Sequence, residues 1–258
     1  MMDSRSIATE NLILKGVVGS TAHGLALDGA DDRDEMGICL EPKEYVIGLR
    51  HFEQWTFRTQ PDGVRSGYGD LDLVIYGFRK WARLAANGNP TILLLLYAPM
   101  LTISTSFGLA VRAAAVLFAS RRAGRAFLGY LRAQRQRMTG ERGGRHAKPR
   151  ADLVEQFGYD TKYAMHLLRL GHQGVEFLET GGLTLPMPEP TRLHLMDVRQ
   201  GKVSEQDVLT EGGELERRLE DLLDHSPLPP EPDWRAIDGL VISLYEQWWE
   251  RRTPCQRW

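Results

Sequence analysis

An apolar run that breaks on Gly19-Ser20, followed by Asp32-Arg33-Asp34 at the head of a second apolar run, constrains this chain more than any other feature. Leu12, Ile13, Leu14, Val17 and Val18 read as a buried strand, and Met36 to Leu40 as the next one. Side chains alternate across a strand, so Asp32 and Asp34 share a face. Two carboxylates side by side repel, and a fold tolerates the pair mainly when a cation sits between them. A hard, oxygen-seeking ion such as Mg²⁺ suits that position, because it takes one or two carboxylates and completes its shell with phosphate oxygens and water. The Gly19-Ser20 turn adds backbone N–H groups and a hydroxyl where the outer phosphates of a polyphosphate can lie. Together these residues point to a metal-dependent site for a nucleoside triphosphate. The competing reading is a solvated acidic turn ahead of a strand.

A third carboxylate is available on a later strand, Leu71 to Tyr76. Asp72 lies inside its apolar run, whereas Asp70 shares the face but sits at the glycine-rich edge, which leaves it a rival. His23, in the loop after the turn, reads either as an exposed side chain or as a nucleotide contact. Further along, Lys162, His166 and Arg169 fall within one stripe of an amphipathic helix whose other side carries Ala164, Met165, Leu167 and Leu168. Such a stripe is either a solvated face or an anion-binding one, and all three groups bind anions. Asp160 lies on a different face and reads as a cap. The arginines at 121, 122, 125, 132, 135 and 137 form a basic helix that is either solvated or able to follow an RNA backbone.

Taken in order, these motifs resemble the nucleotidyltransferase fold of the DNA polymerase β superfamily, marked by Gly-Ser, Asp-x-Asp and a third acidic residue on a later strand. Within it, the chain is similar to an RNA-repair-associated nucleotidyltransferase family of bacteria and phages. The landmarks are Gly19-Ser20-x-x-x-Gly24, Asp32-x-Asp34-x-x-Gly37, Asp72, Asn89-Pro90, Gly129-Tyr130 and Asp160-x-Lys162-x-x-x-His166-x-x-Arg169. The resemblance implies that Asp32 and Asp34 hold two Mg²⁺ ions, with Mn²⁺ as a substitute, and that Asp72 completes the site. It implies nucleotide binding by Gly19, Ser20, Lys162, His166 and Arg169. The implied activity moves a nucleoside monophosphate onto an acceptor hydroxyl and releases pyrophosphate. An RNA 3′ end, tRNA-like, is the favoured acceptor and a protein hydroxyl the second. The contrasting class is a module that holds nucleotide or RNA without turnover, for which clustered carboxylates have no use. One departure stands out: after Asn89-Pro90 the chain has Leu93 to Leu96 where such sequences tend to carry an acid.

The 258 residues suffice for one large domain or two ordinary ones. The expected fold is an α/β (α+β) nucleotidyltransferase domain with a mixed sheet over residues 1–103, then an all-helical domain over 104–258. Helices are expected at Phe107–Ala119, Arg121–Met138, Ala151–Gly171, Ser204–His225 and Trp234–Arg251. Residues 139–149, with Arg142, Arg145, His146 and Lys148, read as a basic surface loop, and the prolines between Ser226 and Asp233 as an extended connector. A formal net charge of −2 calls for neither nucleic acid nor membrane in bulk. Cys39 and Cys255 supply neither a disulfide framework nor a metal quartet. With no signal-peptide pattern and no apolar stretch of spanning length, the expectation is a soluble, cytoplasmic protein without membrane contact.

Overall fold

The computed structural model describes residues 2–27, 29, 31–61, 63–64, 66–141 and 148–252. In chain order its first elements are α1 (Ser4–Glu10), β1 (Leu12–Val17), α2 (Gly19–His23), β2 (Arg33–Cys39), α3 (Lys43–Val46), β3 (Gln54–Arg58) and β4 (Leu71–Gly77). Then come α4 (Phe78–Ala86), α5 (Pro90–Tyr97), β5 (Leu101–Ser104), α6 (Ser106–Ala113) and a 3₁₀ turn (Ala115–Phe118). The remainder is helical: α7 (Arg121–Met138), α8 (Ala151–Phe157), α9 (Thr161–Thr180), α10 (Thr191–Arg199), α11 (Glu205–His225) and α12 (Trp234–Arg252). The expected mixed sheet and helical C-terminal part are both present.

The chain forms two compact units. The first takes the residues up to Ala86, Thr91–Phe118 and Asp233 onward; the second takes Asn87–Pro90 and Ala119–Pro232. A single cut near residue 103 therefore differs from the observed division, because α6 and α12 belong with the sheet. Helical periodicity identified these segments as helices but carried no information about what they pack on.

In the first unit the sheet runs β3-β4-β2-β1-β5. β2 and β4 are parallel, and every other pair is antiparallel. One core layer joins Ile7 and Ala8 of α1 to Cys39, Tyr45, Phe52, Leu73 and Ile75. Strand alternation thereby sends Asp72 to the opposite face from Leu73. Helix α4 buries Phe78, Trp81, Ala82, Ala85 and Ala86, one face at helical spacing. In α5, Ile92 and Leu93 to Leu96 are all buried, so the leucines that stand in place of an acid are core side chains.

Helix α12 is fastened to this unit through a buried carboxylate. Glu41 is 2% exposed. It accepts a hydrogen bond from the Phe78 N–H at 3.1 Å and another from the Tyr245 hydroxyl, while its carbonyl accepts from Trp249 Nε1 at 2.9 Å. Burial pushes the Glu41 carboxyl up from its ordinary value, partly offset by these donors.

The second unit is built around α9, against which α7, α10 and α11 pack. Close approach depends on glycine: a Cβ at Gly171 would lie 2.7 Å from Leu215 Cδ1, and one at Gly174 would lie 2.9 Å from Phe127 Cβ. The single helix expected over 151–171 is two. Gly158, at φ 86°, closes α8, and Asp160 caps α9, which then continues to Thr180. Helix α10 was not foreseen. The α7 arginines are largely committed within the unit. Arg122 and Arg125 pair with Glu231, Arg132 with Glu216 and Glu220, Arg135 with Glu216, and Arg121 donates to the Leu223 carbonyl. The balancing acids lie far away in sequence, so an isolated reading of α7 overstates its net charge. Residues 142–147 of the basic loop, and Cys255, lie outside the described residues. Among the described residues no helix is long and apolar enough to cross a membrane.

Candidate active site

Parallel pairing of β2 with β4 sets Asp34 directly beside Asp72, and Asp32 lies just ahead of β2. Carboxylate oxygens from Asp32, Asp34 and Asp72 all lie within 4.8 Å of one another, each side chain half-buried. At that spacing each pair of charges repels by about 3 kcal/mol at an effective dielectric near 20. A donor set made only of carboxylate oxygens fits a hard divalent cation. The three side chains could hold such an ion.

Asp72 already has partners from the end of β3 and the connection to β4. Arg58 Nε donates to its Oδ1 at 3.0 Å, Gln60 Nε2 to the same oxygen at 3.2 Å, and the Ser66 hydroxyl to Oδ2 at 2.7 Å. Asp70 is used differently. Its carboxylate accepts from the Gly67 N–H at 2.9 Å and the Thr59 hydroxyl at 2.8 Å, bonds that hold its pKa below the usual carboxylate value. It stabilises the turn into β4, which separates it from the other three carboxylates in role. Sequence reasoning missed Arg58, Gln60 and Ser66, because the hairpin register that brings them to Asp72 is invisible in composition.

Gly19 and Ser20 open the short helix α2, and the Val18 N–H donates to the Asp34 carbonyl at 2.9 Å, tying the turn to β2. Gly19 has φ 63°, and a Cβ there would lie 2.0 Å from Asp34 Oδ2. No side chain fits between the turn and the carboxylate. Gly19→Ala is accordingly expected to displace Asp34, lowering stability by about 1–3 kcal/mol and any activity that needs the trio by roughly 100-fold. Thermal melting and steady-state kinetics check the two effects separately. Gly24 ends α2 in the left-handed region at φ 72°. His23 is buried, which removes the exposed alternative of its two sequence readings, because residues 19–23 coil into a helix that turns it inward.

A cavity of about 380 Å³ beside this cluster is lined by Val17, Thr21, Asp31, Asp32, Arg33 and Tyr68, among others. That volume falls within the range of small-ligand sites. A larger cavity of about 510 Å³ in the same unit includes Glu41, Glu53, Lys80 and Arg83. There Glu53 is already paired with Lys80 at 2.6 Å, and among the described residues no carboxylate trio converges.

Lys162, His166 and Arg169 lie together on α9, in the second unit. Arg169 donates to Gln173 Oε1 at 2.8 Å, and burial lowers its guanidinium to about 10. The His166 ring is half-buried, with Nδ1 enclosed and lacking a hydrogen-bond partner. Desolvation, then the charges of Arg169, Lys162, Arg199 and Arg150, hold its pKa well below the ordinary 6.5. Arg199 and Arg150 thus join a cationic cluster that the sequence stripe did not show. Asp160, fully enclosed, accepts from the Lys162 and Tyr163 N–H groups at 3.1 and 3.0 Å and from the Arg150 guanidinium at 3.0 Å. Folded His166 stays neutral where the unfolded chain takes up a proton. Stability is therefore present above pH 6.5 and falls as pH drops below it. His166→Gln is expected to flatten that acid limb of the urea-denaturation profile. In the same unit the Asn89 amide donates to the Tyr130 hydroxyl at 3.1 Å, joining two of the sequence landmarks.

A mixed sheet that sets an Asp-x-Asp pair beside a third aspartate on the neighbouring parallel strand defines a polymerase β-like nucleotidyltransferase. Residues 3–243 match the RlaP family, described as the RNA repair pathway DNA polymerase beta family, and the chain belongs to it. Among solved structures it is similar to a nucleotidyltransferase-like protein from Exiguobacterium sibiricum, with 14% identity, coverage of 97% of this chain and 80% of that one, and a TM-score of 0.30. No curated protein matches it.

Proposed function

We propose that the chain transfers a nucleoside monophosphate from a triphosphate to the 3′ hydroxyl of an RNA, with Asp32, Asp34 and Asp72 as ligands of Mg²⁺. The observation that carries this reading is the convergence of three carboxylates within 4.8 Å on adjacent parallel strands. In the reaction the acceptor oxygen forms a bond to the α-phosphorus, the bond to the bridging oxygen of the β-phosphate breaks, and pyrophosphate departs while the hydroxyl proton passes to solvent. Bound divalent ions supply charge neutralisation and a lowered pKa for the acceptor hydroxyl. The protein's part is positioning. Asp34 and Asp72 are held in register by the sheet, and the backbone N–H groups of the Gly19-Ser20 turn with the Ser20 hydroxyl are assigned to the outer phosphates. On the second unit, Lys162, Arg169 and Arg199 as cations, with the neutral His166 ring beside them, are assigned to nucleotide or acceptor phosphates. The RNA acceptor is supported by the family's place in RNA repair.

The test offers purified protein each α-labelled nucleoside triphosphate with Mg²⁺, together with total RNA, tRNA and cell protein, beside an Asp32→Ala/Asp34→Ala control. Label entering RNA and lost in the control is the expected result, and it names the base. Label entering protein moves the acceptor to a protein hydroxyl. Nucleotide bound without any transfer would make this a binding module.

A further inference from the structure

Arg58 is the last residue of β3 and lies directly opposite Asp72 in the antiparallel register. Asp72 in turn lies beside Asp34. Three strands thus carry a row of one cation and two anions, set by backbone pairing rather than by a chance rotamer. The guanidinium is fixed on several sides. Nε donates to Asp72 Oδ1 at 3.0 Å, and one terminal nitrogen donates to Ser66 Oγ at 2.9 Å and to the Val64 carbonyl at 3.3 Å. Ser66 and Gln60 add their own hydrogen bonds to the same carboxylate. Both oxygens of Asp72 are therefore engaged, and a full positive charge stands at the position from which a divalent ion would be repelled.

We propose that Arg58 is a resident counter-ion for Asp72, which a divalent cation must displace before it can use that carboxylate. The inference rests on the reading of the aspartate cluster as a metal site. Two cations competing for one carboxylate are negatively coupled, and linkage makes the coupling reciprocal: whatever weakens the Arg58 pair strengthens metal binding. A scaffold role for Arg58 predicts the opposite sign, since losing a residue that merely orients Asp72 weakens the metal site.

The experiment measures Mn²⁺ binding to the full chain without nucleotide, by counting free ion with electron paramagnetic resonance. Arg58→Ala and Arg58→Gln, the latter keeping a hydrogen-bond donor without the charge, are each expected to bind Mn²⁺ about 5- to 150-fold more tightly than the wild type. Removing Arg58 in an Asp72→Asn background is expected to change nothing. Unchanged or weaker binding in both Arg58 variants overturns the proposal, as does tightening that persists without Asp72. Asp34→Ala separates the two levels. Mn²⁺ binding that ignores Asp34 defeats the metal-site reading itself, whereas binding that needs Asp34 but does not tighten on loss of Arg58 defeats the counter-ion alone.

Discussion

Asp34→Asn is expected to lower nucleotidyl transfer by about 10³-fold or more, roughly 4 kcal/mol of transition-state stabilisation. The substitution keeps the volume of the side chain and exchanges a charged oxygen for an amide that donates. Asp34 is where this loss should be most severe, because it pairs with Asp72 across β2 and β4 and also abuts the Gly19 turn. The matched control is Asp70→Asn. Asp70 lies only two residues from Asp72, yet its carboxylate serves the Gly67 turn and Thr59, so its loss should leave the rate near wild type. Single-turnover transfer under saturating Mg²⁺ distinguishes them. Equal losses for Asp34→Asn and Asp70→Asn would show that overall negative charge, rather than the convergent trio, supports the reaction.

The largest effect on stability is expected at Asp160. It is fully enclosed, caps the first turn of α9 through two N–H groups and pairs with Arg150. Asp160→Ala leaves the Arg150 charge without its partner and uncaps the helix on which the second unit is assembled. The expected cost is about 3–5 kcal/mol. Asp160→Asn keeps an acceptor for the backbone donors and should lose appreciably less. Hydrogen exchange at the amides from Lys162 to Met165, read alongside the urea midpoint, localises the change to α9. A loss below about 1 kcal/mol would place the pair in the class of solvent-screened ion pairs.

Much of the catalytic half was legible because its signals are local. The strand before Gly19, the Asp-x-Asp pair and the apolar context of Asp72 each sit within a few residues, so periodicity and turn chemistry suffice. What escaped is set by pairing between distant segments. Arg58 meets Asp72 only through hairpin register. Apolar context favours Asp72 over Asp70, but the loop hydrogen bonds that occupy Asp70 come from Gly67 and Thr59. The α7 arginines read as either a solvated face or a nucleic-acid track until Glu216, Glu220 and Glu231 are seen beside them. The break at Gly158 was readable, since a glycine followed two residues later by an aspartate is a stop and a cap; the strong apolar periodicity on both sides masked it.

The return of α12 to the sheet unit has a consequence in time. Residues 119–232, the second unit's main segment, come between the sheet and the helix that supplies Tyr245 and Trp249 to Glu41. At a synthesis rate of about 5–20 residues per second, those 114 residues (232 − 118) occupy about 6–23 s. Throughout that interval a newly made sheet has emerged without the partner for its buried glutamate, and its apolar helix seat is uncovered. A chain of this design finishes its first unit last, so the sheet waits for its closing helix while the second unit is made.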